Sequence, residues 1–290
     1  MLDTLEKLWR TIYAYISNTV IFTFPVLNII LIVMAGCFGS MLYQKTRPAV
    51  KDVLLKALGI AAIIMGFSHF WDSFFTLDIG QFETKDTLLV LFALLLGYVL
   101  GDVLALDKGL GHLGIWLNSL WTKDSHPTAA QNKKHAPKTP NVEPIHQDPY
   151  PLSEGFILAC VFCAFSAPTI RSAIECQITE DAAPLLIKLG FDIVVIFTLA
   201  LIYGTGVTFV AAPVFLVGGL FLLAYKFYAE FLTPDLINQL CLIGAVMLIT
   251  AGLQIGLGKK SRAVNFIPAY LIPIIYASIL LIVETLTKSK

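Results

Sequence analysis

A chain of 290 residues in which 57% are hydrophobic and only 14% are charged is too apolar for an ordinary soluble domain. Its twenty basic and twenty acidic residues cancel, so no overall field recruits nucleic acid or an anionic surface, and nucleic-acid binding drops out as a class. The apolar residues gather into about eight stretches near 20 residues long, the length of helix that crosses a hydrocarbon core of about 30 Å.

The first segment, residues 1 to 18, places Leu2, Leu5, Leu8, Trp9, Ile12, Tyr13 and Ile16 at helical spacing with charges elsewhere on the wheel, which predicts an interfacial amphipathic helix. The first membrane half, 19 to 121, holds spans expected at 20–43, 53–72 and 87–106. Lys7 and Arg10, followed by an apolar run to Met34-Ala35-Gly36-Cys37, imitate a lipoprotein cleavage site. The run continues through Phe38, Met41 and Leu42, so a retained helix is expected. Leu113, Trp116, Leu117, Leu120 and Trp121 then repeat on one helix face and predict a surface helix with interfacial tryptophans.

Residues 122 to 153 lose apolar periodicity and carry six prolines among polar residues, a flexible linker on the cytoplasmic side. Its His126, His135 and His146 are too widely spaced to read as a metal site. The second half, 154 to 290, holds spans expected at 155–174, 185–205, 210–228, 236–257 and 264–284. Ser166-Ala167-Pro168 falls inside the fourth span and predicts a kinked or broken helix, because proline lacks the backbone donor and clashes with the preceding turn.

The fold class is therefore all-α, a polytopic transmembrane bundle of about eight spans. Basic residues crowd the loops after spans one, three and seven, which places those loops inside and both termini outside. Gly59 and Gly66 in span two and Gly244 and Gly252 in span seven punctuate similar runs that cross in opposite directions, the expectation for an inverted repeat.

Ionisable groups in hydrocarbon are costly, so those inside spans are the candidates for a site. Asp192 lies about 10 Å from the outer end of the fifth span, with Lys188 one turn earlier on the same face. Arg171, just past the proline break, and Asn28, in the first span, reach a comparable depth. Two readings of these four residues stand open. In one, Lys188 and Arg171 snorkel to the interface while Asp192 and Asn28 join helices by hydrogen bonds. In the other, Asn28, Asp192, Arg171 and Lys188 build a substrate or ion site in which Asp192 accepts a cation or a proton. Asp102 and Lys56, near the inner ends of their spans, read as interfacial anchors.

The remaining features carry less chemistry. Four of the five cysteines, Cys37, Cys160, Cys163, Cys176 and Cys241, lie in apolar stretches, and no disulfide framework follows. Cys160-x-x-Cys163 has no metal or redox constellation around it. Asp107-Lys108-Gly109-Leu110-Gly111 lacks the strand and helix of a phosphate loop. No H-E-x-x-H, G-x-S-x-G or convincing triad is present, so the chain does not read as an enzyme, and the sequence leaves any cofactor unknown.

The ordered motifs resemble domain-of-unknown-function family 554 of bacterial membrane proteins, over most of the chain. Asn28 stands seven residues before Ala35-Gly36, with Gly39 beyond. Leu58-Gly59, Gly97-x-x-x-Gly101-Asp102 and Leu113-Gly114-x-Trp116-Leu117 follow. Glu154-Gly155-Phe156, Asp192, Gly204-x-Gly206-Val207 with Pro213-Val214, and Asn265 with Pro268 complete the likeness. Ala167-Pro168 replaces the family's Gly-Pro, and Arg171 stands where an apolar residue is usual. The resemblance implies a multi-pass protein of the bacterial inner membrane, and supplies no substrate. Gly36, Gly39, Pro168, Gly204, Gly206 and Pro213 read as packing or break positions.

Polar groups inside broken or glycine-rich spans, without a large soluble domain, point to a transporter or channel for an unidentified small solute or ion. The alternatives are a membrane-embedded accessory or scaffold protein and, behind it, an intramembrane enzyme. The expected surroundings are the lipid bilayer and that solute, and a homo-oligomer is compatible with each reading.

Overall fold

The computed structural model describes residues 23–78, 81–84, 87–121, 151–259 and 262–288. The amphipathic helix expected at 1 to 18 and residues 122 to 150 of the linker, with its three histidines, lie outside them. The first helix, α1 (Thr23–Leu42), follows the expected first span. The second, α2 (Pro48–Phe74), starts five residues before its expected position. Pro48 is its first residue, where a missing N–H costs nothing and the fixed φ favours the helix. A short antiparallel hairpin, β1 (Phe75–Asp78) and β2 (Gln81–Thr84), joins it to the next helix with Phe75 opposite Thr84 and Asp78 opposite Gln81.

Helix α3 (Thr87–Val103) is followed by Ala105, a left-handed residue with φ 50°, and α4 (Leu106–Trp121) leaves at 56° to it. The surface helix expected from Leu113 is thus longer by two turns. It lies on α5 (Pro151–Ala159), where a side chain at Gly114 would meet the Phe156 ring. Helix α5 begins inside the range read as linker, three residues ahead of the expected second half.

The fourth span is broken as its proline predicts, but in two stages. Cys160–Ala164 widens into a π turn closed by Phe165 N donating to Cys160 O at 3.0 Å. Ser166 is extended (ψ 157°), and α6 (Ala167–Ile178) restarts with Pro168 in its first turn. Helix α7 (Ala183–Tyr203) opens with Pro184 in its first turn and Ala183 N donating to Asp181 Oδ1 at 3.0 Å. It stops at Gly204, whose φ of 89° suits glycine and few other residues.

Spans six and eight each open as a 3-10 helix, Thr205–Val210 before α8 (Ala211–Tyr228) and Ala263–Tyr270 before α10 (Leu271–Lys288). Between them, Thr233 caps α9 (Pro234–Gly256) by accepting from Leu236 N at 3.3 Å.

Among the described residues, seven helices are long and apolar enough to cross a bilayer, or eight when the bent α3–α4 pair counts as one span. The molecule is an all-α polytopic bundle built around its broken span. Of the most apolar window of Ser153–Ile178, 89% is buried, against 17% for that of Ala263–Thr287. The outer helices turn residues such as Ile187, Val194 and Leu216 outward, as a lipid solvent allows.

Glycines set the closest crossings. Gly36 of α1 faces Thr208 at the start of span six, Gly59 of α2 and Gly252 of α9 face one another's backbone, and Gly97 and Gly101 of α3 rest on Ala269 and Asn265. Gly39 sits on Phe197 and Ala200 of α7. Gly206 is buried in the 3-10 turn and Pro213 is half-buried near the start of α8. Spans one, two and three therefore lie against six, seven and eight at these glycines.

Candidate functional site

The cost of burying charge decides what the interior polar residues do. Lys188 and Asp192, four apart on α7, present their side chains to one face of the helix. That face is closed over by the π turn of span four, α6 and α1. The Lys188 ammonium donates to Asp192 Oδ2, and Asn28 Nδ2 of α1 donates to the same oxygen at 3.2 Å. Asp192 is 0% exposed, while Lys188 and Asn28 are each 4% exposed. Lys188 therefore does not snorkel. Its stem and its charge both stay inside the bundle.

The break in span four supplies the second partner. A helix end leaves carbonyls without intrahelical donors, and in hydrocarbon each needs one from elsewhere. Cys163 O accepts from Lys188 Nζ at 2.9 Å and from Thr169 Oγ1 at 2.9 Å, and Thr169 Oγ1 lies 3.3 Å from Ser166 Oγ. Two residues further on, Phe165 O accepts from the Tyr270 hydroxyl of span eight at 2.6 Å. Removing that hydroxyl in Tyr270→Phe leaves a buried carbonyl unpaired, so a loss of about 1–3 kcal/mol is expected in reversible unfolding in detergent. A variant as stable as the parent would show that the break needs no outside donor.

A cavity of about 20 Å³ adjoins the pair, lined among others by Phe24, Asn28, Thr169, Ser172, Lys188 and Phe215. A single water needs roughly 10–15 Å³, so the space suits one or two waters or a bare ion and is far too small for a metabolite in this conformation. Oδ1 of Asn28 accepts no hydrogen bond among the described residues. The chemistry on offer is that of a hard-oxygen site: one carboxylate, one amide, one backbone carbonyl and a hydroxyl, with one ammonium already in place. No cluster of three or more histidine, cysteine or acidic side chains fit for a metal occurs among the described residues. Cys160 and Cys163 are buried, unpaired thiols of the π turn.

Of the four residues singled out in the sequence, the structure brings Asn28, Lys188 and Asp192 together and takes Arg171 elsewhere. Arg171 Nη1 lies 3.4 Å from Asp72 Oδ2 at the end of α2, with a third of its side chain exposed. Pro168 restarts the helix beside the site. The contributions of the Cys163 carbonyl and of Thr169 were missed: a backbone oxygen has no signature in sequence, and a threonine after a proline is unremarkable.

A second polar group sits at the other end of the bundle. Asn265 Nδ2 donates to Asp102 Oδ1 at 3.4 Å, and Arg262 Nη1 is 3.7 Å from the same oxygen. Asp102, read as an interfacial anchor, thus ties α3 to the opening of span eight.

A bundle of apolar helices around a broken, buried central span with an interior ion pair is an integral multi-pass membrane protein. Residues 24–278 match the family described as "Protein of unknown function (DUF554)", and the chain belongs to it. It is similar to the "Uncharacterized membrane protein YdfK" of Bacillus subtilis (strain 168), with 23% identity over 252 residues that cover 86% of this chain and 92% of that one. No solved structure matches the chain.

Proposed function

We propose that the protein is a transporter for a small solute or ion in the bacterial inner membrane, working through the site formed by Asn28, Lys188 and Asp192. One observation carries this reading: a charged pair held inside the bundle, at a break in the most buried span, beside a cavity. Placing a charged side chain at the centre of a span costs about 2.5–3.5 kcal/mol even on insertion scales. A protein that needed only to hold α1 against α7 would do so with packed apolar side chains. Discontinuous helices whose free backbone groups face a polar site are the means by which many carriers bind small ions near mid-membrane.

The test is flux. Purified protein in liposomes, screened against panels of alkali cations, halides, amino acids and carboxylates, is expected to accelerate the movement of at least one of them over empty liposomes. Asp192→Asn is expected to abolish that movement. Correctly folded protein that moves nothing across the panels would favour the scaffold reading.

A further inference from the structure

We propose that the ion handled by the Asn28–Lys188–Asp192 site is the proton, accepted by the Asp192 carboxylate, whose partners Lys188 and Asn28 line the adjoining cavity. This rests on the transport reading above and names the ion it left open.

One oxygen of the carboxylate, Oδ2, already holds a cation, while Oδ1 has no hydrogen-bond partner among the described residues. Lys188 supplies a tethered ammonium to Asp192 Oδ2 and to Cys163 O. A second cation entering there would meet that charge, whereas a proton binds the carboxylate itself. The cavity of about 20 Å³ admits water but not an ion with its hydration shell.

The surroundings of the carboxylate narrow the acceptor to one group. From α7 it faces Lys188, from α1 the uncharged Asn28 amide, and from the π turn the Cys163 thiol. The cavity walls add the hydroxyls of Thr169 and Ser172 from α6, and from α8 only Val214, Phe215, Gly218, Gly219 and Leu222, none titratable.

The step balances simply. Asp192 lies behind the Lys188 and Asn28 side chains that line the cavity; a hydronium that passes them gives its proton to the carboxylate, an O–H bond forms on the carboxyl, and neutral water is left behind. Lys188 keeps its own proton, so the site gains one positive charge. The neutral carboxyl is a poorer acceptor, so the hydrogen bonds from Lys188 and Asn28 weaken together, and α1 and α7 lose their polar tie. Loading the proton and loosening the helices are then one event. The hydroxyls of Thr169 and Ser166 continue inward from Cys163 O, and Phe165 O leads to Tyr270. Tyr270 closes the 3-10 segment that carries Asn265 to Asp102.

Infrared difference spectroscopy on the wild-type protein in lipid nanodiscs, titrated in pH, reads the step directly. The expected result is a protonated-carboxyl stretch that grows as pH falls, shifts in Asp192→Glu, disappears in Asp192→Asn, and does not respond to exchange of sodium, potassium or choline. Asp192→Glu keeps the charge pair, so it remains informative if Asp192→Asn does not fold. The absence of any such band assignable to position 192 would overturn the proposal. So would a band whose midpoint moves with sodium or potassium concentration, because a metal cation would then be competing for the site. Solute flux without a titrating Asp192 would overturn the proton and leave the transport reading intact. A titrating Asp192 in a protein that moves nothing would uphold the proton site and overturn transport.

Discussion

Replacing both charges of the buried pair, in Lys188→Met combined with Asp192→Leu, leaves the protein folded and at least as stable as the parent, whereas either change alone destabilises it by about 3–5 kcal/mol. The asymmetry follows from where the charges are. The pair has 3% and 0% of its two side chains exposed, so each ion has given up its hydration and depends on its partner. Lys188→Met strands a carboxylate held only by neutral groups such as the Asn28 amide, and Asp192→Leu strands an ammonium on the Cys163 carbonyl. Removing both together removes the desolvation cost with the attraction, and buried pairs replaced this way are commonly neutral or stabilised by about 1–4 kcal/mol. Thermal unfolding of the four proteins in one detergent checks it. A double variant less stable than the parent would mean that the pair is there for stability.

The second large effect is steric. A side chain at Gly101 would enter the space of the Asn265 backbone carbonyl, where the 3-10 opening of span eight crosses α3. Backbone cannot give way as a flexible side chain does, and overpacking even by a methylene costs about 1–3 kcal/mol. Gly101→Leu is therefore expected to abolish the folded protein. Gly190→Ala, on the face of α7 where an added methyl meets nothing within 4 Å, is expected to leave unfolding and yield unchanged. Recovery of monodisperse Gly101→Leu at parental levels would contradict this crossing.

How much of this is legible without a structure depends on which force sets each feature. The spans are legible because a bilayer imposes both length and apolarity, and the break in span four because Pro168 must open a helix and cannot sit inside one. The π turn at Cys160–Ala164 and the 3-10 openings at Thr205 and Ala263 are not, since helix type among apolar residues is decided by the packing around them. Lys188 and Asp192 stand out by cost and by their spacing of four. That Asn28 meets Asp192 across 164 residues follows only from how α1 docks. Arg171 shows the converse: its depth in the chain resembles that of Asp192, yet it answers to Asp72, 99 residues earlier.

Flux through proteoliposomes containing equal amounts of folded wild type or the Lys188→Met, Asp192→Leu double variant tests the central claim most directly. Stability is not at issue in that pair, so any difference reports on function. The account predicts that a solute or ion carried by the wild type is not carried by the double variant. Equal flux through both would contradict it, because the buried pair would then have no part in transport.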